Sequence, residues 1–376
     1  MPSESEILDA LRPVVEPELD RSIVELGMVR RVTEKRGSVD LDVSVPIEGH
    51  PEIAELESAI QRALAGVSGV KKINARFTPM TEDEQRAVSD LLRHGPDDHA
   101  GHGDHAGHSH AKTNPFTDSR TRVIAVSSGK GGVGKSSVTT NLSVALAQRG
   151  HKVAALDADV WGFSMPRMLG IDRPPALVGE LIIPPRAHGV RLISMGFFTD
   201  EDQPVIWRGP MLHKALEQFL TDVWWGEPDF LVIDMPPGTG DISLSMAQFL
   251  PRAEVVIVTT PQVAAQRVAQ RAAGMADKVR LSVVGVIENM SWFRGDDGKR
   301  YEIFGAGGGE ELAANLGVEL LGKVPLLPEL RAGGDTGRPI IVADPSSEAA
   351  SVFGSIADRL VEMGPPRIAH TELKIV

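Results

Sequence analysis

Apolar and polar positions change period several times along the chain, and each change marks an element. Val39, Leu41, Val43 and Val45 alternate with Asp40, Asp42 and Ser44, which predicts a half-buried strand. Ile53, Leu56, Ile60 and Leu64 fall at helical spacing, and Val70 to Phe77 predicts another strand. Ser3 followed by Glu6 has the capping-box pattern, with Ile7, Leu8 and Leu11 forming an apolar helix face behind it. Residues 1–93 therefore predict a small α+β domain, whose periodicity alone carries no chemistry.

Between residues 94 and 115 the apolar period stops and glycine, histidine and aspartate dominate, as expected of a flexible linker. His94, His99, His102, His105, His108 and His110 lie in this tract. They fit either a polar spacer or a site for Zn²⁺, Ni²⁺ or Cu²⁺. From 116 to 365 apolar runs alternate with helical patterns, the signature of a doubly wound, mostly parallel sheet. The strand candidates are Val123–Val126, Val153–Leu156, Val190–Ile193, Leu231–Ile233, Val255–Val258 and Val283–Ile287. A last helix is expected over about 346–362, after Asp344-Pro345, and residues 366–376 form a tail.

Composition narrows the class. The 376 residues are 42% hydrophobic and 24% charged, enough for more than one core. A formal charge of −12 argues against an electrostatic grip on nucleic acid. The first residues have neither a basic stretch nor an apolar run of signal-peptide type, and no apolar run reaches membrane-spanning length. A cytoplasmic protein without membrane or nucleic-acid partners is expected. There is no cysteine, so no disulfide and no thiolate ligand can come from this chain.

The chemistry concentrates after the first strand of the long segment. Gly129-Lys130-Gly131-Gly132-Val133-Gly134-Lys135-Ser136-Ser137 joins Val123–Val126 to a helix expected over 138–149. In that context Gly-x-x-x-x-Gly-Lys-Ser is a phosphate-binding loop, with backbone N–H groups converging on an anion at a helix start. Lys135 would reach the β- and γ-phosphates and Ser136 would ligate Mg²⁺. Asp234 ends the apolar strand Phe230–Ile233 and would support the Mg²⁺ shell, while Gly238 would offer its N–H to the γ-phosphate. Asp157 and Asp159 end another strand, so one can orient the attacking water and the other support the metal. Asn289 could bond an adenine edge, and the absence of an Asn-Lys-x-Asp segment favours ATP over GTP.

With Lys130 as a second lysine, the loop resembles that of the deviant Walker A ATPases of the MinD, ParA and nitrogenase iron-protein type. VIWRGPM (205–211), DMPPGTGD (234–241), VTTPQ (258–262), IENMSWF (287–293), IFGAGGGEELA (303–313) and GGDTGRPI (333–340) resemble the Mrp/ApbC family closely. EPELDRSIVELGMV (16–29) is similar to the small MIP18-like domain often fused ahead of it. The resemblance implies a homodimeric, slow ATPase that carries iron–sulfur clusters to apoproteins or works with cluster-assembly proteins. It implies that Lys130 reaches the partner's nucleotide and that Asp159 positions the water. Many members place Cys-x-x-Cys just after the Asn-Met-Ser segment, where this chain has Arg294-Gly295-Asp296-Asp297-Gly298-Lys299-Arg300. No residue here is assigned as a cluster ligand. The other function open to such a sequence is an ATP-switched homodimeric scaffold or assembly partner that holds no cluster itself.

Overall fold

The computed structural model describes residues 2–94, 114–117, 119–199, 209–238 and 241–364. The chain divides into two compact units. The first comprises Met1–Lys112, Pro174–Pro185 and Asp222–Gly226; the second comprises Thr113–Arg173, Arg186–Thr221 and Glu227–Val376.

In the first unit, Val29–Lys35 pairs antiparallel with Ser38–Val45, which pairs in parallel with Lys72–Pro79. Arg36 and Gly37, with φ of 54° and 86°, make the tight turn of the hairpin. The helix Ile53–Ala65 buries Leu56, Ile60 and Leu64, and Glu4–Leu11 buries Ile7 and Leu11. The expected capping box is present: Glu6 N–H donates to Ser3 Oγ and Ser3 N–H donates to Glu6 Oε2. Sequence patterning passed over Val29–Lys35, because VRRVTEK is a polar edge strand with no alternation.

This unit also buries three ionisable groups with side chains 0% exposed. His50 Nε2 lies 3.1 Å from Glu18 Oε2 and 3.2 Å from Glu16 Oε1. Burial alone would lower the imidazole pKa, but the two carboxylates outweigh it and raise it to about 9.

In the second unit, eight strands among the described residues form one sheet. Their order is Arg186–Ala187, Val190–Ser194, Val153–Asp157, Phe230–Asp234, Arg122–Ser128, Glu254–Thr259, Ser282–Glu288 and Glu319–Lys323. Every pairing is parallel except that of the edge strand Arg186–Ala187. The inner strands are buried along their length and read as continuous apolar runs rather than alternation. All six expected strands are in this sheet. Glu319–Lys323 was not expected, because a half-exposed edge strand of ELLGK carries no apolar run.

Helix Lys135–Gln148 starts three residues before the expected position, because Gly134 with φ 78° caps it and Lys135 already sits in its first turn. It is buried nearly all round, against the sheet and helix Glu348–Met363, so its hydroxyls need partners within the protein. Ser143 Oγ donates to Thr139 O, and Thr139 Oγ1 lies 3.0 Å from Lys135 O. The last helix runs Glu348–Met363, with Ser347 accepting from Ala350 N–H as its cap. Among the described residues no helix is long and apolar enough to cross a membrane.

Candidate functional site

Strand Arg122–Ser128 delivers the phosphate loop to the carboxyl edge of the sheet, between strands ending in Asp234 and Thr259. The loop can take this path only with glycine. A Cβ on Gly129 would stand 2.3 Å from the Val268 carbonyl carbon, and one on Gly134 would stand 2.2 Å from Asn289 Nδ2. Gly132 and Gly134 both have φ of 78°, which L side chains rarely adopt. Around the loop lies a cleft of about 360 Å³, lined by Lys130, Gly131, Gly132, Gly134, Lys135, Ser136, Ser137 and Asp159, with Trp161 beside them.

Asp234 is the hub of the cleft floor and is fully buried. Lys135 Nζ lies 2.7 Å from its Oδ2, and Ser136 Oγ donates to the same oxygen at 2.5 Å. Thr139 Oγ1 donates to Oδ1 at 2.7 Å. Lys135 Nζ is also 3.7 Å from Asp159 Oδ2. The cation expected on a phosphate chain is thus held at the floor by two carboxylates.

Asp157 is the register partner of Asp234 on the next strand. Burial first, and the Asp234 charge second, push its carboxyl up to about 7. Its Oδ2 accepts from Ser164 N–H, Met165 N–H and Ser194 Oγ, so it shapes the loop after the strand. Asp159 is raised by burial, against the lowering effect of Lys135, and its Oδ1 accepts from Gly162 N–H at 3.2 Å.

Residues 119–361 match the ParA family, described as NUBPL iron-transfer P-loop NTPase, and residues 4–76 match a family described as iron-sulfur cluster assembly protein. The chain belongs to the ParA/NUBPL P-loop NTPase family. It is 45% identical over 363 residues to a Mycobacterium tuberculosis protein named iron-sulfur cluster carrier protein, covering 94% of this chain and 92% of the relative. Among solved structures, an Archaeoglobus fulgidus nucleotide-binding protein in complex with ADP is 36% identical, with a TM-score of 0.54. It covers 62% of this chain and 91% of its own. MinD from Pyrococcus horikoshii, complexed with Mg-ADP, is 26% identical with a TM-score of 0.50, covering 65% and 97%.

The remaining expected residues of this NTPase take less direct positions. Lys130 is half-buried, and its Nζ donates to Gln262 Oε1 at 3.2 Å. Gly238, expected to face a γ-phosphate, here donates its N–H to Ser128 O at 3.0 Å. Asn289 lies beneath the loop rather than along the cleft: it is 3% exposed and its Nδ2 donates to Val133 O at 2.8 Å. Its Oδ1 is buried without a hydrogen-bond partner. The linker residues His99, His102, His105, His108 and His110, the side chain of His94, and residues 205–208 of the VIWRGPM segment lie outside the described residues.

Sequence reasoning missed Thr139, Ser194 and Gln262. Thr139 had a signal, since it stands one helical turn from Lys135 and faces the same way. Ser194 had none, because its closeness to Asp157 arises from strand register.

In the segment where the resemblance would place paired cysteines, this chain forms a hairpin, Phe293–Arg294 against Arg300–Tyr301. Asp297 accepts from Tyr301 Oη and Lys299 N–H, while Arg294 and Arg300 both pair with Glu348. Among the described residues no group of three His, Asp or Glu side chains is arranged to hold a metal ion.

Proposed function

We propose that this protein is an ATP-hydrolysing carrier in iron–sulfur cluster delivery, working as a homodimer that serves apoproteins. The observation that carries the reading is the Lys135–Ser136–Asp234 cluster under a glycine cradle, in a chain 45% identical to a named carrier.

The residues fit a magnesium nucleotide. Asp157 and Asp234 are two buried acids on adjacent strands; burial first and the Asp234 charge second raise the Asp157 pKa, and a divalent cation would offset both. Mg²⁺ keeps most of its waters and takes substrate phosphates, so it needs few protein ligands. Ser136 Oγ would hold it directly and Asp234 through water, and the ion would neutralise charge developing on the phosphates. Lys135 exchanges Asp234 for the β- and γ-phosphates. Asp159, made more basic by burial, orients and receives a proton from the attacking water. Lys130 leaves Gln262 and reaches the nucleotide of the partner subunit. Gly238 gives up Ser128 O when a γ-phosphate offers a stronger acceptor.

Asn289 does not face the base: it is buried beneath the loop, with Nδ2 committed to Val133 O and Oδ1 enclosed. The preference for ATP rests on the absence of an Asn-Lys-x-Asp segment that would read guanine. Competition of ATP and GTP for the protein tests this: ATP should bind more tightly, and equal affinity for both would refute it.

The cluster is cargo. Clusters are held overwhelmingly by cysteine thiolate, and this chain has none. The thiolates therefore come from the donor, the recipient or a small thiol, and the protein supplies nucleotide-timed binding. Anaerobic iron–sulfide reconstitution tests the division of labour. Without added thiol the protein should gain no stable chromophore, and with a partner that carries cysteines it should. A cluster retained by this chain alone would overturn borrowed ligation.

A further inference from the structure

Residues 2–94 do not complete the core of the first unit. Pro174–Pro185 and Asp222–Gly226 fold with them, although both segments are embedded in the sequence of the nucleotide-binding unit. Ala176–Val178 and Leu181–Ile183 form an antiparallel hairpin. Its residues Ala176, Val178, Leu181 and Ile183 are at most 5% exposed and join the same apolar cluster as Ile7, Leu56 and Ile60. Leu177, on the other face, is 61% exposed.

A two-stranded hairpin this short is not stable in water by itself. Its fold therefore depends on what it packs against. Gly179, at the turn with φ 60°, sits so close that a Cβ would approach Ser89 Cβ to 2.9 Å. Helix Glu82–His94 thus meets the turn directly, and its Val88 and Leu92 are buried in the same cluster. The second segment is tied to the first by backbone hydrogen bonds. Ile182 N–H donates to Asp222 O, and Ile182 O accepts from Trp224 N–H, both at 2.9 Å. Trp224 Nε1 then donates to Leu19 O at 2.9 Å.

We propose that residues 2–94 carry a docking face whose occupant is this chain's own hairpin 174–185 with Trp224, and that this apolar anchor, not segment 95–113, holds the small domain to the NTPase. The chain crosses between its two units at four points besides the linker, and each crossing flanks an anchoring segment. Cutting the linker removes one connection and none of the buried apolar contacts.

The test uses the full chain with a protease recognition sequence inserted between His105 and Ala106. After cleavage the two pieces should elute together in size-exclusion chromatography at micromolar concentration. In the doubly substituted V178D/I183D chain they should separate. Separation of the unsubstituted pieces would overturn the proposal, as would co-elution of the substituted ones. Should V178D/I183D fail to fold, hydrogen exchange on the uncut chain decides. Leu56→Ala in the core should speed exchange at amides 176–183 by about tenfold or more, together with Ile60 and Leu64, as one cooperative unit. Amides of Leu231–Ile233 should not change. Unaltered exchange at 176–183 would show that the hairpin belongs to another unit.

Discussion

Raising the pH should loosen the first unit while its sequence stays the same. In the folded chain His50 is wedged between Glu16 and Glu18, and its pKa stands at about 9 against an ordinary value of 6.5. A group whose folded pKa is raised stabilises fully below its unfolded pKa and loses that contribution as pH climbs through the folded value. At 1.36 kcal/mol per pKa unit the imidazolium is worth about 3 kcal/mol below pH 6.5. Linkage leaves about 2 kcal/mol at pH 7.5 and less than about 1 kcal/mol at pH 9. Native-state hydrogen exchange at Leu56, Ile60 and Leu64 reads this unit, because all three are buried in its core. After correction for intrinsic exchange, their opening free energy should fall by about 2–3 kcal/mol between pH 6.5 and 9. In His50→Gln the same profile should be nearly flat, starting from a lower value because two buried carboxylates lose their cation. Parallel profiles for the two proteins would refute the assignment of a buried imidazolium.

Four further substitutions probe the nucleotide site. Lys135→Ala should weaken ATP binding by about 100-fold or more in calorimetry, since it removes a charged phosphate contact and leaves Asp234 unpaired; near-normal affinity would reject the phosphate cradle. Asp159→Ala should bind ATP normally and turn over about 100-fold more slowly, and an unchanged kcat would reject Asp159 as the water-positioning residue. Gly134→Ala places a Cβ 2.2 Å from Asn289 Nδ2; nucleotide binding should be lost while the circular dichroism stays native, and full binding would mean the loop has another path. Lys130→Ala should leave the monomer folded and reduce ATP-dependent dimerisation in analytical ultracentrifugation, whereas an unchanged dimer would remove its cross-subunit role.

What the sequence disclosed depended on how local each feature is. The phosphate loop was legible because strand, glycines, lysine and helix are contiguous from Val123 onward. Asp157 and Asp234 were legible as strand-ending acids on apolar runs. Their mutual repulsion was not, because it depends on strands far apart in sequence being neighbours in the sheet. Asn289 shows the same limit: its place at a strand end was visible, its burial under Gly134 was not. His50 and Glu16 are 34 positions apart and meet only after folding. The hairpin around Gly179 was the largest omission. Its short apolar strands sit inside an α/β sequence, and nothing local states that they complete a different core.

The most direct measurement of the account is anaerobic cluster transfer from a reconstituted donor to an apo-ferredoxin, followed by the recipient's visible spectrum. The unaltered protein with ATP should accelerate transfer, while Lys135→Ala, or the unaltered protein without nucleotide, should not. Equal rates with and without ATP, or full acceleration by Lys135→Ala, would contradict a nucleotide-driven carrier.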